Sequence, residues 1–165
     1  ATADYTVWPG LARGILLIML FIGGCVGSTS GGIKMLHVAV VGKMIGKQLR
    51  RLAHPRSVVT IRVNKIPVSA ETESAVVAFV TLYIAVVLVS TVVVASSGTD
   101  LETALSASLA AIGNVGPGFG QVGPALNFAF LPGYAKLTLS AVMLIGRLEI
   151  YSVFILFVPG YLRGW

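Results

Sequence analysis

Apolar runs of unequal length alternate with glycine-rich or basic segments along this chain. The longest uncharged run is residues 74–99, SAVVAFVTLYIAVVLVSTVVVASSGT. It exceeds the ~20 residues that a helix needs to cross a bilayer core. Nine of the twenty residues from Val76 to Ala95 are Val, a composition that in water favours strand. A lone strand cannot satisfy its backbone in lipid, so the length predicts a spanning helix. A second span is predicted over 137–162, interrupted by Arg147 and Glu149, with Pro159 near its end where a helix is already stopping.

Two further apolar stretches, 14–23 and 104–113, are too short to span. Stretches of this length suit re-entrant helices, and each runs into a glycine-rich segment. Asp100 is a predicted N-cap for the second, with Glu102 and Thr103 in its first turn. Residues 33–52 make a poor spanning helix, because Lys43 and Lys47 follow only eight uncharged residues from Met35 to Gly42. Two readings stay open. The helix exits early into cytosol, or it breaks around Gly42–Gly46, which is tolerable only where the break lines a water-filled path; the break is preferred. Beyond it, Val59, Ile61 and Val63 alternate with Thr60, Arg62 and Asn64, which predicts a short strand or hairpin arm.

Composition sharpens the class. The 165 residues are 56% hydrophobic and 11% charged, against about a quarter charged in soluble domains. The fold class is therefore all-α integral membrane. Residues 1–10 lack the basic start and apolar core of a signal peptide, and both ends read as cuts in a longer chain. The net charge of +6 is concentrated: eight of the twelve Lys and Arg lie between Lys34 and Lys65. The positive-inside rule accounts for that loop and makes it cytoplasmic, so nucleic-acid binding is not needed. Residues 74–99 then run inside to out, 100–124 dip in from outside and return, and 137–162 run back in. Lys136 and Arg13 are the exceptions. The single cysteine, Cys25, excludes an internal disulfide, and His37 and His54 have no acidic partner nearby in sequence. No catalytic set is present.

The order short helix, glycine-rich loop, second helix occurs twice. GCVG at Gly24–Gly27 aligns with GNVG at Gly113–Gly116, three positions of four. Residues 118–123 match GxGxxG, but a dinucleotide site needs a strand before it and an acid about 20 residues on, and Pro117 and Pro124 flank the motif. Gly27 to Gly32 has Walker-A spacing with Ile33 where Lys is required. Gly23 and Gly27 also have the GxxxG spacing of close helix packing, which keeps a non-transporting scaffold open as an alternative. The preferred reading is a pore loop. A dehydrated cation needs carbonyl oxygens in place of water, glycine permits the backbone angles that expose them, and a short helix points its negative end at the ion. The carbonyls of Cys25, Val26 and Gly27 then form one wall, and those of Asn114, Val115 and Gly116 another. Two walls do not close a four-sided filter.

GGCVGSTSGGIK (23–34), RRLAHPRSV (50–58), NVGPGFG (114–120) and GRLEIYSVFILFVP (146–159) resemble the last part of the TrkH/TrkG/KtrB superfamily of potassium-uptake proteins, in the TrkH-like branch. The resemblance covers essentially the whole chain. It implies four helix–pore loop–helix repeats, two of them here: residues 1–52 as the third without its first helix, 53–73 as a basic cytoplasmic linker, and 74–165 as the whole fourth. It implies K⁺ as the transported ion with no covalently bound cofactor, in a multi-pass protein of the inner (cytoplasmic) membrane. It also implies a homodimer bound to a cytosolic TrkA-type nucleotide-binding regulatory subunit. A gating loop in the second helix of the third repeat falls on Gly42–Gly46, and an Arg below the filter falls on Arg147. Arg147 also stands without the family. It lies 11 residues after Lys136, roughly 16 Å down a helix, at a depth where an Arg is costly and functional by default. The alternative is a structural pairing near Glu149. Lys34 either tunes the outer mouth or snorkels to the interface.

Overall fold

The computed structural model describes residues 3–25, 31–54, 60–63 and 66–148. Among these the chain forms five α-helices, two three-residue 3-10 turns (Tyr5–Val7 and Gly120–Val122) and one small hairpin: α1 (Gly10–Phe21), α2 (Met35–Ala53), β1 (Arg62–Val63), β2 (Ile66–Pro67), α3 (Ala70–Ala95), α4 (Leu101–Gly113) and α5 (Gly133–Arg147). The alternation around Ile61 resolves as that hairpin, with Arg62 opposite Pro67 and Val63 opposite Ile66. The N–H of Val68 extends the ladder to the Ile61 carbonyl at 2.9 Å.

The 26 residues of α3 make it long and apolar enough to cross a membrane. Ser69 caps it, accepting from the Thr72 N–H, and Glu71 and Glu73 occupy its first turn, where the helix dipole favours anions. α3, α4 and α5 pack on one another around α4, and α1 lies against α4. The core between them holds Phe79, Tyr83, Val87 and Val94 of α3, Leu109 and Ile112 of α4, and Ala135, Leu139 and Val142 of α5. The small residues of α4 (Ala104, Ala107, Ala110 and Ala111) let its neighbours approach closely. Inside this contact Ser90 and Ser108 share a buried hydrogen bond of 3.0 Å. α2 packs on α3, and the ring of His37 stacks on Phe79 with centroids 4.4 Å apart.

The helix break expected at Gly42–Gly46 is not observed: α2 is continuous from Met35 to Ala53. A glycine in a helix interior costs only ~1 kcal/mol relative to Ala, and tertiary contacts compensate. Lys47 Nζ reaches both carboxylate oxygens of Glu73 on α3, at 2.8 and 2.9 Å, and Lys43 donates to the carbonyl of Arg62. The second span is described as helix only as far as Arg147. Pro159 and Glu149 lie outside the described residues.

Candidate functional site

α4 begins as its sequence dictates. Asp100 accepts from the Thr103 N–H at 3.0 Å and from the Thr103 hydroxyl at 2.6 Å. The hydroxyl and then the N–H hold this carboxyl below its ordinary value of 3.8. Arg13, an exception to the charge rule, pairs with Glu102 in the same turn. The other exception, Lys136, donates to the Ala129 carbonyl at 2.7 Å.

From there α4 is almost wholly buried, Thr103, Ala104 and all of Ser106–Gly113 being covered. It ends at Asn114, which adopts the left-handed conformation with φ 54°. The Asn114 and Val115 N–H groups close the last turn onto Ala111 and Ala110, at 3.1 and 3.0 Å. The chain then turns back. Phe119 N–H donates to Ser106 Oγ at 2.8 Å, and Gln121 N–H to Thr103 Oγ1 at 3.1 Å. Tyr5 donates its hydroxyl to the Gly118 carbonyl at 2.9 Å and packs edge-on against Phe119. Thirteen helical residues descend about 20 Å. The few extended residues after Asn114 climb back over that length at ~3.3 Å each. Residues 115–121 therefore return along α4.

Among the described residues, the carbonyls of Asn114, Val115 and Gly116 accept no hydrogen bond from the protein. Three consecutive bare acceptors at the negative end of a helix form a cation-attracting array. Gly116 has φ +106° with open space where a Cβ would be, so it is glycine for its backbone angle. Other glycines are there for space. A Cβ on Gly31 would lie 2.1 Å from the Ile112 carbonyl oxygen, and one on Gly146 would lie 2.0 Å from it. The end of α4 is thus clamped between the first glycine segment and α5, and Asn114 Nδ2 adds a 3.2 Å bond to the Met143 carbonyl of α5. Arg147 is exposed and directly follows Gly146, which places it at the level of the carboxyl end of α4.

In the first glycine segment Cys25 is exposed; Val26 and Gly27 lie outside the described residues. Its flanks are tied together by Gly23 N–H to Ile33 carbonyl at 2.8 Å and Met35 N–H to Gly24 carbonyl at 3.3 Å. Gly42 and Gly46 sit within α2, away from this convergence. Lys34 is the N-cap residue of α2, without a side-chain capping bond. Residues 118–123 follow a helix rather than a strand and hold only a three-residue 3-10 turn, Gly120–Val122, which agrees with their exclusion as a dinucleotide site. Sequence reasoning missed Tyr5, Ser106, Gly31 and Gly146, and placed Thr103 in the first turn of α4 without its bond to Gln121. The hydroxyls at 103 and 106, one turn apart on an otherwise small apolar helix, were the available signal.

The class defined by the described residues is a helical fold with one helix long and apolar enough to cross a membrane, in which a short buried helix ends in bare carbonyls at a glycine-lined seam. The chain belongs to the TrkH family, whose model, described as a cation transport protein, matches residues 1–160. It is 40% identical over 164 residues to the Trk system potassium uptake protein TrkI of Halomonas elongata, covering 99% of this chain and 33% of that protein. It is 36% identical over 167 residues to the Trk system potassium uptake protein TrkH of Escherichia coli K12, covering 98% and 34%. The crystal structure of the potassium transporter TrkH from Vibrio parahaemolyticus matches with a TM-score of 0.87 at 37% identity, covering 98% of this chain and 34% of that one. The chain spans about a third of the length of these relatives.

Proposed function

We propose that this chain is part of a potassium-uptake protein and supplies two walls of a four-sided selectivity filter. The observation that carries the reading is the run of bare carbonyls at Asn114, Val115 and Gly116, at the negative end of a buried helix. Such an array can replace the hydration shell of a K⁺ ion. By the sequence repeat, the carbonyls of Cys25, Val26 and Gly27 form the second wall, and two further repeats outside this chain supply the rest. Family membership supports K⁺ as the ion, since the relatives above carry potassium uptake or transport in their names.

Arg147 acts as an electrostatic brake beneath the filter, a reading supported by its place one residue after the Gly146 contact with α4. A continuous α2 forms no intramembrane loop at Gly42–Gly46. Gly42 and Gly46 remain as positions where a continuous α2 bends during gating, since neither has an atom near its absent Cβ. The basic segment between α2 and α3 faces the cytosol, in a multi-pass protein of the inner membrane. That protein works as a homodimer with a TrkA-type regulatory subunit. A scaffold role for the glycines fits Gly31 and Gly146 but not Gly116, which has open space around it.

The test is K⁺-limited growth of cells that lack other K⁺ uptake, expressing the full-length protein. Growth restored by the wild type, and higher or ungated K⁺ flux in Arg147→Ala, is the expected result. No rescue by a protein present in the membrane overturns the transport reading, and unchanged flux in Arg147→Ala overturns the brake.

A further inference from the structure

Between α2 and the segment leading into β1 lies a cavity of ≈ 300 Å³, at the lower end of the ~300–1,000 Å³ of small-ligand sites. Lys43, Lys47 and Arg50 line it from successive turns of one α2 face, and Thr60, Ile61 and Arg62 close it from the other side. Ile61 is buried and forms an apolar floor. Lys47 is neutralised by Glu73. Among the described residues no carboxylate pairs with Lys43, Arg50 or Arg62. Among the described residues three cations, Lys43 also bonding to the Arg62 carbonyl, thus converge on one small space without a counter-charge, an arrangement that draws in an anion.

The depth of the cavity identifies the source of that anion. Glu73 immediately precedes the uncharged run that begins at Ser74, so its bond to Lys47 puts the cavity where α3 meets the hydrocarbon boundary. Ile45 and Leu49, on α2 beside the cations, are 57% and 62% exposed. A phosphate in the cavity therefore has an apolar strip next to it on which an acyl chain can lie. We propose that this cavity binds the phosphate headgroup of an anionic phospholipid of the cytoplasmic leaflet, and so ties α2 to the hairpin and α3. Basic pockets on this side of membrane proteins recognise such headgroups. The proposal uses the membrane orientation of the functional reading but not its filter.

The full-length protein is delipidated in detergent and titrated separately with phosphatidylglycerol, phosphatidylcholine of the same chains and inorganic phosphate. Bound lipid is read by native mass spectrometry and stabilisation by the thermal midpoint. Phosphatidylglycerol should be retained over phosphatidylcholine. The double variant Arg50→Gln/Arg62→Gln should weaken that retention about fivefold per cation removed, from the ~1 kcal/mol that each contributes near an anionic surface. Arg51→Gln, which removes one charge, as Arg50→Gln alone does, without lining the cavity, should retain the lipid as the wild type does. Equal retention of the two lipids, or a loss in Arg51→Gln as large as in Arg50→Gln, overturns the site. Inorganic phosphate binding as tightly as phosphatidylglycerol overturns the lipid as its source. A double variant that keeps its lipid but releases a soluble protein partner overturns it in favour of protein docking. None of these readouts needs ion flux, so a failed K⁺ assay leaves the lipid result readable.

Discussion

The two glycine loops share three residues of four, yet only one of their helices is enclosed by this chain, which spans about a third of its relatives' length. α1 has no buried residue, while α4 buries ten of its thirteen. α4 is held between α3 and α5, whereas α1 rests on α4. The returns differ as well. The second loop runs back along its own helix and is fastened by Thr103, Ser106 and Tyr5. The flanks of the first are bonded to each other at Gly23 and Ile33. The path of the second loop is set by its bonds to its own helix, and the burial of each short helix follows from the helices that flank it within this chain. The glycines divide in the same way. Gly31 and Gly146 are glycine because a carbonyl occupies the place of a Cβ, and Gly116 because of its positive φ.

The largest effect should come from breaking the clamp of α5 on the end of α4. Gly146→Ala puts a Cβ 2.0 Å from the Ile112 carbonyl oxygen and should cost at least ~3 kcal/mol through forced backbone shifts. Thermal unfolding in detergent should show loss of the folded protein. A wild-type midpoint would mean that the clamp is not as tight as described. Ser106→Ala tests the fastening of the second loop alone. It strands the buried Phe119 N–H, a loss of about 1–3 kcal/mol, and hydrogen exchange should rise at Phe119 while α1 is unaffected.

A smaller effect of opposite sign is expected away from the seam. Gly42→Ala and Gly46→Ala meet open space in a continuous helix and should each stabilise α2 by about 0.5–1 kcal/mol, with slower gating if the helix bends there. Destabilisation by either would restore the broken-helix reading. The smallest effect belongs to Asp100. Its carboxyl is held below 3.8 by the Thr103 hydroxyl and N–H. The stability it lends α4 is present above that pH and is lost as the pH falls through the lowered value. The group is exposed, so less than ~1 kcal/mol is at stake. Asp100→Asn, which can still cap, should flatten this acid limb of the pH–stability curve without moving the neutral midpoint.

Much of this was legible before any coordinates. α3 followed from its uncharged length, α4 from the Asp100 cap and its glycine stop, and the hairpin from the alternation around Ile61. The continuity of α2 was not legible, because what offsets its glycines is tertiary: Glu73, distant in sequence, meets Lys47, and the Arg62 carbonyl meets Lys43. The clamp at Gly146 was hidden for a related reason. In sequence Gly146 is only the residue before Arg147, and nothing local indicates that the carbonyl of Ile112 fills its missing side chain. Gly116 was singled out for its backbone, and its φ is +106° with open space at its missing Cβ.

The central claim, that bare carbonyls around Gly116 select the ion, is tested most directly by K⁺ and Na⁺ flux through the full-length protein in vesicles, with wild type compared to Gly116→Ser and Gly27→Ser. The account predicts assembled protein in both variants, with K⁺ no longer preferred over Na⁺. Unchanged preference in a well-assembled Gly116→Ser protein would contradict it.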